Sequence, residues 1–360
     1  MIPIAVLGAI NTWSRQPLYN TLIEGVGANI LDEADLVAKS VGLVVGDVSY
    51  FLNDGTDVYA RIDTTYTLVA YGWQNATDIL AFYDFEGMVL QVNRNCFSGS
   101  SIVYAEFPEC TEFNSQQQFA FTNSLIWCRA PKLANLNYRT FYDSNALLEA
   151  NYPLVTSITT HTTLSACDNL IEVDLRSWDG STGGNTSTFS YCPKLTSVNI
   201  DSMVAMPSSM MRNCSIITRV DAPSLVSMGD YAAKVNVLME TFYAPNLTTL
   251  ATNSLQQCYV LDPVPPSIIN LTGVGNFYNT LSVPMIALPK LATPIGTSAG
   301  TNAQNFRNCT NDGAGCILVV PVVHETSNGG TADLDVVDHL AWDAQNTVKY
   351  SNADIAINGG

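Results

Sequence analysis

The chain of 360 residues holds three histidines, His161, His324 and His339, and nine cysteines, the residue types that most often carry nucleophilic or metal chemistry. A Ser-His-Asp or Cys-His site needs a marked nucleophile beside its base, and no sequence motif marks one here. Gly183-Gly184 lacks the Gly-Lys-Ser/Thr that completes a phosphate loop and reads as a surface bulge. Asp333, Asp335 and Asp338 miss calcium-loop spacing and suit the start of a helix, where the dipole favours acids. No Cys-x-x-Cys pair occurs, so neither a zinc cluster nor a redox pair is expected, and the reading assigns no cofactor and no metal. Glu172 with Asp174 is the one nearby carboxylate pair that could serve a glycosidase, and it suits a polar patch equally well.

The cysteines make more sense as part of a repeating frame. Cys167, Cys192, Cys214 and Cys258 each lie three residues before an apolar anchor, and that anchor recurs as Ile102, Leu125, Leu147, Leu170, Leu195, Ile217, Met239, Leu261 and Val283. Successive anchors are 22 to 25 residues apart, so nine units of roughly one length follow one another. Three residues after the anchor runs the column Ala105, Cys128, Ala150, Val173, Val198, Val220, Phe242, Val264, Ile286. Six before it stand Cys96, Phe119, Phe141, Leu164, Phe189, Met211, Ala233, Leu255 and Phe277. Columns that stay apolar at a fixed period are those a solenoid stacks rung on rung. The cysteine column otherwise holds Gly99, Thr122, Ser144, Asn236 and Thr280, so small size is its common demand, and free buried thiols are expected there.

Within a unit the anchor opens the run apolar-x-x-apolar-x-apolar, as in Ile217-Thr-Arg-Val220-Asp-Ala222, and its last part alternates with the period of a strand. A proline then ends the strand in PKLANL at Pro131, PLVTSI at Pro153, PSLVSM at Pro223 and PNLTTL at Pro245. Segments 102–107, 125–130, 147–152, 170–175, 195–200, 217–222 and 239–244 are therefore expected as neighbouring parallel strands of one sheet. Two units depart. That at 170–194 carries an insertion in Trp178–Thr188, expected to bulge as a loop, and that at 261 has Pro263, Pro265 and Pro266, which should break its strand.

The order Phe, small or Cys, Leu, Val, Pro, Leu, seen in FSYCPKLTSV at 189–198, resembles the BspA-like class of leucine-rich repeats, also described as the Treponema type, over about residues 80–295. The resemblance implies a β-rich leucine-rich-repeat solenoid with a parallel sheet wall and short irregular or helical connectors. It leaves function open, because such repeats serve adhesion, partner binding and virion structure alike.

Three parts are expected: a small α/β head over 1–75, the solenoid over 76–294, and a linker with an α/β cap over 295–360. In the head, Pro17–Val26 and the segment after Asp32 have helical patterning, and 47–52 with 57–62 flank the turn Asn53-Asp-Gly-Thr56 as a hairpin. The head weakly resembles the start of bacteriophage structural proteins. Phe306–Cys309 begins a unit that the sequence does not visibly complete. CILVVP and Thr347–Tyr350 read as strands, and Asp333–Trp342 reads as a short helix.

Composition narrows the partners. Charged residues are 13% of the chain and the formal charge is −17, so nucleic acid is rejected, since its affinity comes from Lys and Arg neutralising phosphates. The apolar opening lacks a basic segment and a small-residue cleavage site, so export through a signal peptide is not expected, and no apolar run is long enough to insert in a membrane. Positions two and four after the anchor should face outward from the wall. They offer Tyr104, Glu106, Trp127, Arg129, Glu149, Glu172, Asp174, Arg219, Asp221 and Tyr243, a stripe containing the types enriched in binding hot spots. The leading expectation is a non-enzymatic virion component of a bacteriophage tail or appendage, binding a host-surface receptor or glycan or a neighbouring virion protein. A bacterial surface adhesin is the alternative, a glycan-degrading enzyme on a β-solenoid the third reading, and a homo-oligomer is compatible with each.

Overall fold

A computed structural model of the chain describes residues 89–291 except 160, 182–186, 262, 281 and 284. It also describes 47–51, 57–61, 67–68, 73–77, 81–84, 305, 309, 317–320 and 347–350. Each unit makes one turn of a coil with three sides. The first side is the expected wall, with parallel strands Ala81–Tyr83, Tyr104–Glu106 and Trp127–Arg129, then Glu149–Asn151, Glu172–Asp174, Ser197–Asn199, Arg219–Asp221 and Thr241–Tyr243. Equivalent positions pair in register, Tyr104 with Trp127 and Glu149 with Glu172. Only the middle of each six-residue segment is strand, and the neighbouring amides turn back locally, Leu125 N to Thr122 O for example.

The wall is two sheets rather than the single sheet expected. Its ladder lapses between Trp127–Arg129 and Glu149–Asn151, although the rungs still touch through Leu148 N to Ile126 O at 3.0 Å. At that place the buried Tyr152 hydroxyl donates 3.0 Å to the Cys128 carbonyl, in the middle of the strand. A side-chain donor thus occupies a strand carbonyl, and the large ring fills the room left by Ala130 one rung before.

The connectors contain no helix among the described residues, so of the irregular or helical connectors expected they are the irregular kind. The second side is a row of two-residue parallel strands, Thr67–Leu68, Gln91–Val92, Glu112–Phe113, Asn135–Leu136 and Ser157–Ile158. After a gap it resumes as Ala205–Met206, Ser227–Met228, Thr249–Leu250 and Asn270–Leu271. The gap falls on the unit with the insertion. Trp178, where that insertion begins, is fully buried, and Gly180 at φ +78° lies so close to the next rung that a Cβ would stand 1.8 Å from Ala205 O. The insertion is therefore anchored at its start, and its part 182–186 lies outside the described residues.

The third side is made of turns. Residues four apart there are left-handed, as Arg139 (φ 54°) and Asp143 (φ 56°), and their amides bond carbonyls of the next rung, Arg139 N to His161 O and Asp143 N to Ser165 O. Midway between each such pair a large side chain turns inward, and Phe97, Phe119 and Phe141 stack at 5.0 and 5.4 Å. The column assigned to Cys96 therefore belongs to Phe97, because the first unit is one residue shorter there.

The expected hairpin is present as antiparallel Asp47–Phe51 and Asp57–Arg61, while the expected helices of the head and of 333–342 lie outside the described residues. Met285–Ala287 pairs in parallel with Ile317–Val320 and that strand with Thr347–Tyr350. Cys309 donates to Phe277 O at 2.9 Å, so the unit beginning at Phe306 is completed after all, reaching its wall strand at Ile317. The expected loss of the strand at 263–266 is observed.

Candidate binding surface

The outward row of the first wall is where the expected site residues fall, and the structure sorts them. Tyr104 and Trp127 point away from the core cluster yet are only 2% and 4% exposed. Their rings lie 5.3 Å apart, with the Arg129 guanidinium 5.9 Å over Trp127. The expectation that these two aromatics form an exposed hot spot is thus corrected: both surfaces are already covered. Glu106 sits beside them, half-buried and in register with Arg129.

From Glu149 onward the row opens to solvent. Burial pushes the Glu149 carboxyl above its usual range; Arg129 opposes that shift and the Glu172 charge adds to it. Glu172 is exposed, but Asp174 is buried and held by Arg176, whose Nε donates to both its oxygens at 3.0 and 3.1 Å. That tie raises the Arg176 pKa and leaves Asp174 committed. Glu172 and Asp174 therefore do not form a free pair of carboxylates aimed at one substrate bond. Arg219 bonds Asp221 two residues on in its own strand, Nε to Oδ2 at 2.9 Å, and both are exposed or half-exposed. An exposed pair of this kind contributes little to stability and leaves both groups free to re-pair.

The row ends at Tyr243, 51% exposed, beside a cavity of about 450 Å³. Thr241 to Pro245 form one side of it, and Pro263, Pro265, Pro266 and Pro289 much of the rest, with Lys290 at the rim. The cause lies in the sequence. Three prolines cannot donate to a ladder, so the rung after Thr241–Tyr243 leaves the wall and a groove opens where its strand would lie. The prolines announce the lost strand; nothing local in the sequence announces the groove, which needs the rungs on both sides to frame it.

The cysteine column also has chemistry that the sequence reading missed. Cys214 Sγ donates to Phe189 O at 3.3 Å, Cys167 to Phe141 O at 3.1 Å and Cys258 to Ala233 O at 3.3 Å; Ser144 Oγ does the same to Phe119 O at 2.7 Å. At these positions Cys, Ser and Thr act as small donors to a carbonyl of the preceding rung, whereas Asn236 donates to Ala233 O of its own turn and Gly99 offers no side-chain donor. The eight described cysteines are free and buried, and burial pushes the Cys214 thiol well above its usual range. Among the described residues no cluster of three metal-ligating side chains occurs.

A coil of short parallel strands, turns and stacked apolar columns defines a leucine-rich-repeat solenoid. The sequence profile of the BspA type leucine-rich repeat region matches in six copies, over residues 75–171, 134–262 and 185–311, and the chain belongs to that family. No curated protein matches the chain. Among solved structures, a leucine-rich repeat protein from Bacteroides ovatus is similar over 78% of this chain and 71% of its own, at 18% identity and a TM-score of 0.45. The pneumococcal vaccine antigen PcpA is similar over 77% of this chain and 78% of its own, at 11% identity and a TM-score of 0.28.

Proposed function

We propose that the protein is a non-enzymatic adhesin that engages a partner through the open part of the first wall, between Glu149 and Tyr243, with the proline-lined groove as the anchoring pocket. The observation that carries this reading is the coincidence at one place of an exposed tyrosine, an apolar cavity of about 450 Å³ and the end of an exposed charged row. An aromatic beside an apolar pocket ringed by polar groups is the usual anatomy of a binding hot spot. Membership of a family of repeat proteins supports action at a cell surface. A second reading, a virion appendage that contacts a host surface, draws on the low charge of the chain, 13% charged residues, whose neutral polar surface suits dense packing in a particle.

The test is a titration of labelled protein onto intact bacterial cells, cultured animal cells and purified virus particles. Tyr243→Ala should weaken whichever attachment is seen by roughly tenfold or more, in line with a hot spot of about 2 kcal/mol. Arg219→Ala should weaken it less, and Glu240→Ala, exposed one position before the strand, should not. Attachment unchanged by Tyr243→Ala, or turnover of cell-wall glycans by the purified protein, would overturn the reading.

A further inference from the structure

The turn side carries two adjacent cations that pair with no acid among the described residues. Arg212 lies between two tyrosines, its guanidinium 5.6 Å from the Tyr191 ring centroid and 5.8 Å from that of Tyr231, and Lys234 Nζ lies 5.1 Å over Tyr231. Tyr191 N bonds Arg212 O, and Asn213 N bonds Lys234 O, so the four side chains occupy three consecutive rungs. No carboxylate pairs with Arg212 or Lys234 among the described residues, and Arg212 Nε is buried without an acceptor. Asp230, the nearest acid in sequence, is occupied in accepting the Thr252 amide at 2.8 Å. In a chain with 32 acidic and 15 basic residues, two adjacent cations without a carboxylate are a local inversion of charge. By contrast, Arg176 and Arg219 on the first wall each hold an aspartate.

The ligand that fits must bring a negative group and a flat apolar face. Tyr191 is 47% exposed and offers its ring for stacking. Ser209 and Asn213, half-buried on the same turns, make no side-chain hydrogen bond among the described residues and can take hydroxyls. A long polyanion such as nucleic acid would meet the repulsion of a charge of −17, whereas one negative group on a sugar would meet only the two cations. We propose that the turn side at Tyr191, Arg212, Tyr231 and Lys234 is a second binding site, for a sugar residue carrying a single negative charge. It is separate from the first wall, so the two can fail independently.

The full chain is titrated by ligand-observed NMR with methyl β-glucuronide, 3′-sialyllactose and 6-sulfo-N-acetylglucosamine, each against its uncharged parent. At least one acidic sugar should bind five- to tenfold more tightly than its parent, and 0.5 M salt should erase most of that margin. Lys234→Gln and Arg212→Gln should each lose about that same factor and Tyr191→Ala at least as much, while Tyr243→Ala on the wall should leave binding unchanged. If Arg212→Gln fails to fold, Lys234→Gln and Tyr191→Ala decide. Equal binding of charged and uncharged sugars, no binding by any of them, equal binding of a mononucleotide or an acidic peptide, or full retention by Lys234→Gln would each overturn the proposal.

Discussion

Replacing Cys214 separates two accounts of the cysteine column. If the position only wants a small apolar group, alanine or valine should serve at least as well as serine, because burying an unneeded hydroxyl costs about 1–3 kcal/mol. The structure says otherwise. The Cys214 thiol is fully buried, and among the described residues it is the one donor to Phe189 O, at 3.3 Å. Burial pushes that thiol well above its usual range, which favours the protonated, donating form. Cys214→Ala removes the donor, stranding a buried carbonyl at roughly 1–2 kcal/mol, and leaves a void of one sulfur at roughly 1 kcal/mol more. The sum is about 2–3 kcal/mol, which at this chain length lowers Tm by about 3–4 °C. Cys214→Ser keeps a donor, as Ser144 does three rungs earlier in the column, and should stay within about 1 kcal/mol of the parent. Cys214→Val fills the volume but strands the carbonyl, so it should fall between the two. Urea unfolding of the three variants gives the order directly. Alanine or valine more stable than serine would refute the donor account.

Three further outcomes are expected. Glu149 has its folded-state pKa raised by burial, so folding favours its protonated form and stability falls as pH rises through and above the ordinary glutamate value of 4.5. Glu149→Gln should therefore flatten the thermal-unfolding profile between pH 4 and 7 and raise Tm at pH 7 by about a degree or two. Gly180→Ala would place a Cβ on Ala205 O at a left-handed φ and should cost about 2 kcal/mol or more, read from the urea midpoint. Trp127→Ala, at a site that is covered, should destabilise the fold by about 3 kcal/mol while leaving cell attachment per folded molecule unchanged. Selective loss of attachment with an unchanged Tm would restore Trp127 to the binding face.

The wall strands were legible because period and alternation depend on buried columns, and a buried column constrains residue type. The row Asn135–Leu136, Ser157–Ile158, Ala205–Met206 was not, since two residues are too few to show alternation. The turn side was hidden for a different reason: its left-handed positions hold Phe121, Tyr191 and Val235 as well as Asn and Asp, so the usual glycine signal is missing. For the site, outward placement followed from the period, but exposure did not. Tyr104 and Tyr243 lie in the two outward rows toward opposite ends of the wall, and one is covered while the other is open.

The interruptions in the two strand rows fall on different rungs. The first wall lapses between Arg129 and Glu149, the second row skips the unit at 170–194, and the first wall lapses again at 263–266. In a coil where each rung touches only its neighbours, a fault crossing all three sides at one level would divide the rod into halves able to melt or shear apart. Here the faults are staggered as joints are in brickwork. Where one side loses its ladder, another side carries bonds across: at the first lapse the turn amides Arg139 and Phe141 still reach His161 and Thr163, and at the last Asn270–Leu271 still pairs with Thr249–Leu250. The rod can thus carry an inserted loop, an opened groove and an intruding tyrosine and still be bonded from rung to rung at each of these levels.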